Sequence, residues 1–111
     1  MTWNELEQRI GVFYIDNVNK KKIPYSHYDF EREVEPPHLM STELESNNFV
    51  ADNSIYIEKC NARLELTTDT RDRFLEKRIE QEILYDIIWL KELTYISSER
   101  IWNISYYFEI I

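Results

Sequence analysis

The sequence contains a single glycine, Gly11, among 111 residues, where average usage is about 7%. A Gly-rich phosphate loop, a dinucleotide fingerprint and a nucleophile elbow each need two or more glycines at fixed spacing, so all three are excluded. There is a single cysteine, Cys60, which excludes an internal disulfide and fits a chain that is cytosolic when made. No run of 18 or more apolar residues occurs, so no membrane-spanning helix is expected. The opening residues, MTWNELEQRI, lack the apolar stretch of a signal peptide. Positive charge is scarce: 13 Lys and Arg face 21 Asp and Glu, a net charge of −8. That balance argues against broad electrostatic binding to nucleic acid or to an anionic membrane, while leaving room for a local basic patch.

Apolar material is plentiful. Hydrophobic residues make up 43% of the chain and aromatics 14%, with eight Tyr and three Trp. This is enough to build one core, so a single domain spanning residues 1–111 is expected.

Residues 2–10 read as a short helix. Thr2 and Glu5 have the spacing of a capping box, and Trp3, Leu6 and Ile10 fall on one face. Gly11 is expected to end it in a left-handed conformation. Residues 12–15 are strand-like, 17–22 are polar, and a short edge strand begins near Pro24. Residues 29–35 carry five charges and read as a loop, closed by Pro36 and Pro37. A strand over 38–45 leads into the turn-forming stretch SNNFVADN, and a long strand over 54–67 follows. On that strand Cys60, Ala62, Leu64 and Leu66 alternate with polar residues, and Glu58 breaks the pattern. The two strands and their long loop suggest a hairpin arm.

A second helix, capped by Asp69 or Thr70, carries Leu75, Ile79 and Ile83 on its apolar stripe, widened by Phe74. Residues 86–96 form a strand whose apolar run 87–90 is expected to be buried. After a turn at Ser97 and Ser98, residues 99–111 give the clearest strand. Trp102, Ile104, Tyr106, Phe108 and Ile110 share one face, and Ile101, Tyr107 and Ile111 lie on the other. The predicted class is α+β: an antiparallel sheet of about four strands, two helices on one face, and a hairpin arm.

The chemistry-bearing residues form no motif. His27 and His38 are eleven apart and Cys60 is distant, so no metal-ligand spacing is present. Glu31, Glu33 and Glu35 read as a solvated acidic loop, and Lys20, Lys21 and Lys22 as an exposed loop tip. Nothing positions a Ser/His/Asp set, so no catalytic residue, cofactor or metal is assigned. Tyr107 and Ile111, apolar on an otherwise polar sheet face, suggest contact with another subunit.

Three segments together resemble a known family. They are Pro36–Pro37 followed by the loop from Ala51, Asp52 and Asn53 to Tyr56; the strand end at Leu64, Glu65, Leu66 and Thr67 before a charged helix; and Tyr95, Ile96, Ser97, Ser98 and Glu99 with the closing Tyr107, Phe108 and Glu109. In order and spacing they resemble the tail terminator, or tail completion, proteins at the neck of long-tailed bacteriophages and prophages of Gram-positive bacteria. The likeness runs over roughly residues 23–111, and the 17–22 stretch is less typical. It implies a structural protein and not an enzyme. Such a protein assembles with itself as a ring, commonly a hexamer. The ring caps the tail tube protein, docks to the head connector or head completion protein, and lets DNA pass through its lumen. The implied location is the virion neck, and the host cytoplasm before assembly, with no membrane partner. Expected contact residues are Asn47, Asn48, Phe49, Asp52 and Asn53 in the loop, with Phe49 as an apolar anchor, and then Tyr107 and Ile111. The alternative is a small acidic inhibitor or binding module of phage origin that mimics nucleic acid and uses the same −8 charge. A hydrolase or nuclease would need a bound metal or turnover to support it.

Overall fold

The computed structural model describes residues 1–46, 49–51, 54–57 and 59–111, with side chains for 1–45 and 59–111. Thr2 Oγ1 accepts the Glu5 N–H at 3.2 Å and opens helix α1 (Trp3–Gly11), which buries Leu6 and Ile10. Gly11 does not take the expected left-handed conformation: no glycine has positive φ. The Val12 N–H bonds the Gln8 carbonyl and the Phe13 N–H bonds the Ile10 carbonyl. The helix thus runs out without a reversal, and Phe13 drops directly into the core.

Strands β1 (Tyr14–Asp16) and β2 (Lys21–Lys22) form a small hairpin. Its turn is held by the Asp16 carboxylate, which accepts from the Asn19 side chain and from the Val18 and Asn19 N–H groups. Those bonds, led by the Asn19 side chain, hold the Asp16 carboxyl below its ordinary range. Lys20, Lys21 and Lys22 are exposed on this hairpin.

Next come β3 (Tyr25–His27), β4 (His38–Ser46), β5 (Phe49–Ala51), β6 (Ser54–Ile57) and β7 (Cys60–Thr68). Helix α2 (Arg73–Glu82) follows, then β8 (Leu90–Ile96) and β9 (Ile101–Ile110). The fold is α+β. The main sheet has five strands in the order β3-β4-β7-β9-β8, and β5 pairs with β6 in a separate two-stranded sheet between β4 and β7. The expected four-stranded antiparallel sheet is corrected on two counts. It has a fifth strand, and that strand, β3, runs parallel to β4, pairing Tyr25 with Leu39 and His27 with Ser41. The reason is the loop of residues 28–37, which carries the chain back to the start of the sheet before β4 begins. Ser41 Oγ fastens the short strand, 2.6 Å from the Tyr25 hydroxyl and 2.7 Å from His27 Nδ1. The long strand expected over 54–67 is divided into β6 and β7, and Glu58 lies outside the described residues.

One sheet face carries the core. Ala62, Leu64 and Leu66 stand opposite Phe108, Tyr106 and Ile104, and all six are buried. Leu6 and Ile10 from α1, and Leu75, Ile79 and Ile83 from α2 and its end, complete one cluster with them. The cap of α2 is Asp72, whose carboxylate accepts the Leu75 N–H at 3.0 Å, rather than Asp69 or Thr70. Asp69 is engaged earlier, on the Thr70 N–H. With the helix starting later, Phe74 turns away from the sheet and is 77% exposed, so it does not widen the apolar stripe.

A buried ionic cluster fastens α2 to the sheet. Glu76 is 1% exposed. It accepts from Arg71 at 2.7 and 3.2 Å and lies 2.8 Å from Lys91 Nζ on β8. Lys91 also reaches Glu80 at 2.9 Å, and the Tyr106 hydroxyl donates to Glu80 at 2.7 Å. Burial alone would raise the Glu76 carboxyl, but the bonds from Arg71 and Lys91 outweigh it and hold it below the ordinary glutamate value. Burial pushes the Tyr106 hydroxyl far up, so it stays protonated as the donor to Glu80.

Candidate docking surface

The apolar run at residues 87–90 was expected to lie buried in a strand, and the structure corrects this. Strand β8 begins only at Leu90, Ile88 is 95% exposed and Leu90 70% exposed. Ile87 and Trp89 are half-buried against the core, with Trp89 edge-on to the Tyr106 ring. The arrangement follows from how the preceding turn is pinned. Helix α2 ends with the Ile83 and Leu84 N–H groups both on the Ile79 carbonyl, and both side chains are buried. From α1, Arg9 grips the turn with two parallel bonds to Asp86, at 2.7 and 2.9 Å, and a third to the Ile83 carbonyl at 3.0 Å. Its guanidinium lies 4.5 Å from the centre of the Tyr85 ring. The hydrogen bonds from Arg9 hold the Asp86 carboxyl below the usual carboxylate range. With residues 83–86 fixed, 87 and 89 turn inward and 88 and 90 turn out.

The exposed pair borders a groove of about 860 Å³. Leu44, Ile88, Leu90, Tyr107 and Ile111 give it apolar walls, and Lys59, Asn61, Asp86 and Glu109 provide polar groups around them. Lys59 and Glu109 form an ion pair of 3.5 Å. The Ile111 N–H donates to the Met1 carbonyl at 3.0 Å, so both ends of the described chain meet at the groove. Ile111 is 64% exposed there.

Of the residues singled out in the sequence, Tyr107 and Ile111 are brought together in this groove. Phe49 lies on β5 opposite Ile57, and its side chain is outside the described set. Asn47, Asn48, Asp52 and Asn53 lie outside the described residues. Leu44, Ile88 and Leu90 were missed. For the last two the signal was partial: in an extended segment covered on one face consecutive apolar residues cannot all point inward, but nothing in the run says which of them turn out.

A second, polar cavity of about 650 Å³ lies at the 28–37 loop, with Asp29, Glu31, Arg32, Glu33 and His38 in its lining. The His38 ring stands edge-on to Phe30, and its burial lowers its proton affinity. Among the described residues no group of three His, Cys, Asp or Glu side chains converges as metal ligands would. Nor is any helix of the described residues long and apolar enough to cross a membrane. No protein-family model matches the chain, and no curated protein matches it.

Proposed function

We propose that the protein is a structural subunit of the bacteriophage neck, a tail terminator or tail-to-head joining protein. In this reading it assembles as a hexameric ring, caps the tail tube and docks to the head connector. The observation that carries the reading is the apolar groove. Ile88 and Leu90 are held outward by a turn that Arg9 fixes in place, beside Tyr107 and Ile111 on the uncovered sheet face. A side chain kept exposed by a built anchor marks a contact surface more than a packing failure does.

The shape agrees with it. The molecule measures 51 × 33 × 27 Å. Its radius of gyration is 15.3 Å, against about 13 Å for a compact chain of this length. A long strand pair leading to the small β5–β6 sheet gives an arm that can reach a neighbour. The net charge of −8 suits the wall of a channel through which DNA slides without sticking. The finer architecture of helices on one sheet face and an arm beyond the sheet is that of a ring subunit in this reading.

Deletion of the gene in its phage or induced prophage, followed by negative-stain electron microscopy, tests it. Overlong tubes beside tailless filled heads are the outcome for a terminator. Free tails of normal length beside filled heads place the protein at the joining step. Intact infectious virions would overturn the neck reading and favour the acidic inhibitor.

A further inference from the structure

The five-stranded sheet has two edges, and they differ. The β3 edge is three residues long. The β8 edge is seven residues long, Leu90–Ile96, and pairs with β9 in unbroken register from Leu90–Tyr107 to Ile96–Ile101. Among the described residues no strand pairs with its other side. Natural proteins guard such an edge with a bulge, a proline, a charged side chain such as lysine or an inward-pointing charge. Strand β8 has no bulge and no proline. Its one lysine, Lys91, points inward, but Glu76 and Glu80 meet it there at 2.8 and 2.9 Å, so its charge is already paired and does not oppose an approaching strand. Leu90, Leu93 and Tyr95 are all exposed along the strand.

We propose that β8 pairs antiparallel with β8 of a second copy of this chain, about a two-fold axis at Leu93, joining two five-stranded sheets into one of ten strands. The sequence of the strand selects the register. With Leu93 opposite Leu93, all seven residues pair: Leu90 faces Ile96, Lys91 faces Tyr95 and Glu92 faces Thr94. Apolar residues meet apolar ones at the ends and centre, and no like charges are opposed. Sliding the axis to Glu92 sets two carboxylates directly opposite each other. Sliding it to Thr94 leaves Leu90 and Lys91 opposite the turn, with only five residues paired. The faces also agree, since Lys91, Leu93 and Tyr95 share the helix-covered side of both sheets. This contact is isologous and closes on itself. It does not rest on the neck reading, because it uses only the β8 edge and its register; Leu90 alone is shared with the groove.

The test uses the full chain. Sedimentation velocity over increasing concentration is expected to show a shift from one chain of 13.6 kDa to twice that mass. Leu93→Lys places two lysines at the axis and is expected to abolish the shift. Register is read by cysteine cross-linking in a Cys60→Ser background. Two Leu93→Cys residues sit about 5 Å apart between Cα atoms, within disulfide reach. Two Thr94→Cys residues are displaced along the strand beyond that reach. Leu93→Cys is expected to form disulfide dimers at least tenfold faster than Thr94→Cys under the same mild oxidant. A wild type that stays monomeric at every concentration overturns the proposal. So does a dimer that survives Leu93→Lys, or one in which Thr94→Cys links as fast as Leu93→Cys.

Discussion

Two neighbouring regions of this molecule reverse the usual rule of burial. On α2, Glu76 is 1% exposed inside the helix–sheet interface. Twelve residues later Ile88 is 95% exposed. Each reversal has a built cause. Glu76 is buried because Arg71 and Lys91 meet its carboxylate and replace the water it lost. Ile88 is exposed because Arg9 and Asp86 fix the turn before it. The difference teaches that position is decided by what the surroundings supply. The buried charge fastens the fold, and the exposed apolar shelf lies open along the groove.

Breaking the buried side should have the largest effect on stability. Glu76→Gln removes the carboxylate between Arg71 and Lys91 and should cost about 3 kcal/mol, read as a lower urea midpoint at an unchanged slope. Acid should act on the same group. The folded carboxyl titrates below its ordinary value of 4.5, so the unfolded chain takes up the proton first as pH falls. The stabilisation is present above about pH 4.5 and is lost as pH falls through the folded value. Urea midpoints measured from neutral to acid pH should therefore drop below that point, and drop less steeply for Glu76→Gln. Tyr106→Phe removes the hydroxyl donor to Glu80 and should cost about 1 kcal/mol, measured in the same way. The exposed side should respond least: Ile88→Asp should change stability by no more than about 0.5 kcal/mol. A large loss there would mean that Ile88 belongs to the core, and the contrast between the two regions would fail.

The sequence made some of this legible and not the rest. Strand β9 was plain because Trp102, Ile104, Tyr106, Phe108 and Ile110 alternate without a break, and they do face the core side. The stripe of α2 was legible at Leu75 and Ile79, whose spacing matches the helix period. The parallel pairing of β3 was not, because three residues carry no period and its partner Ser41 lies across a loop. Glu76 gave no signal either. Its partner Lys91 is 15 residues away and reaches it only once α2 lies on the sheet. At the groove, Tyr107 and Ile111 were legible as apolar residues that interrupt a polar face. Ile88 and Leu90 were misplaced because four apolar residues in a row look alike from sequence, and the Arg9 anchor that turns two of them out comes from the opposite end of the chain.

The most direct measurement is complementation of the gene deletion with an Ile88→Asp/Leu90→Asp double variant, read by negative-stain electron microscopy beside a urea melt of the purified variant. The account predicts a variant that folds as the wild type does yet fails to restore joined virions of normal tail length. Full complementation by that variant would contradict the claim that the exposed shelf is where the protein makes its contacts.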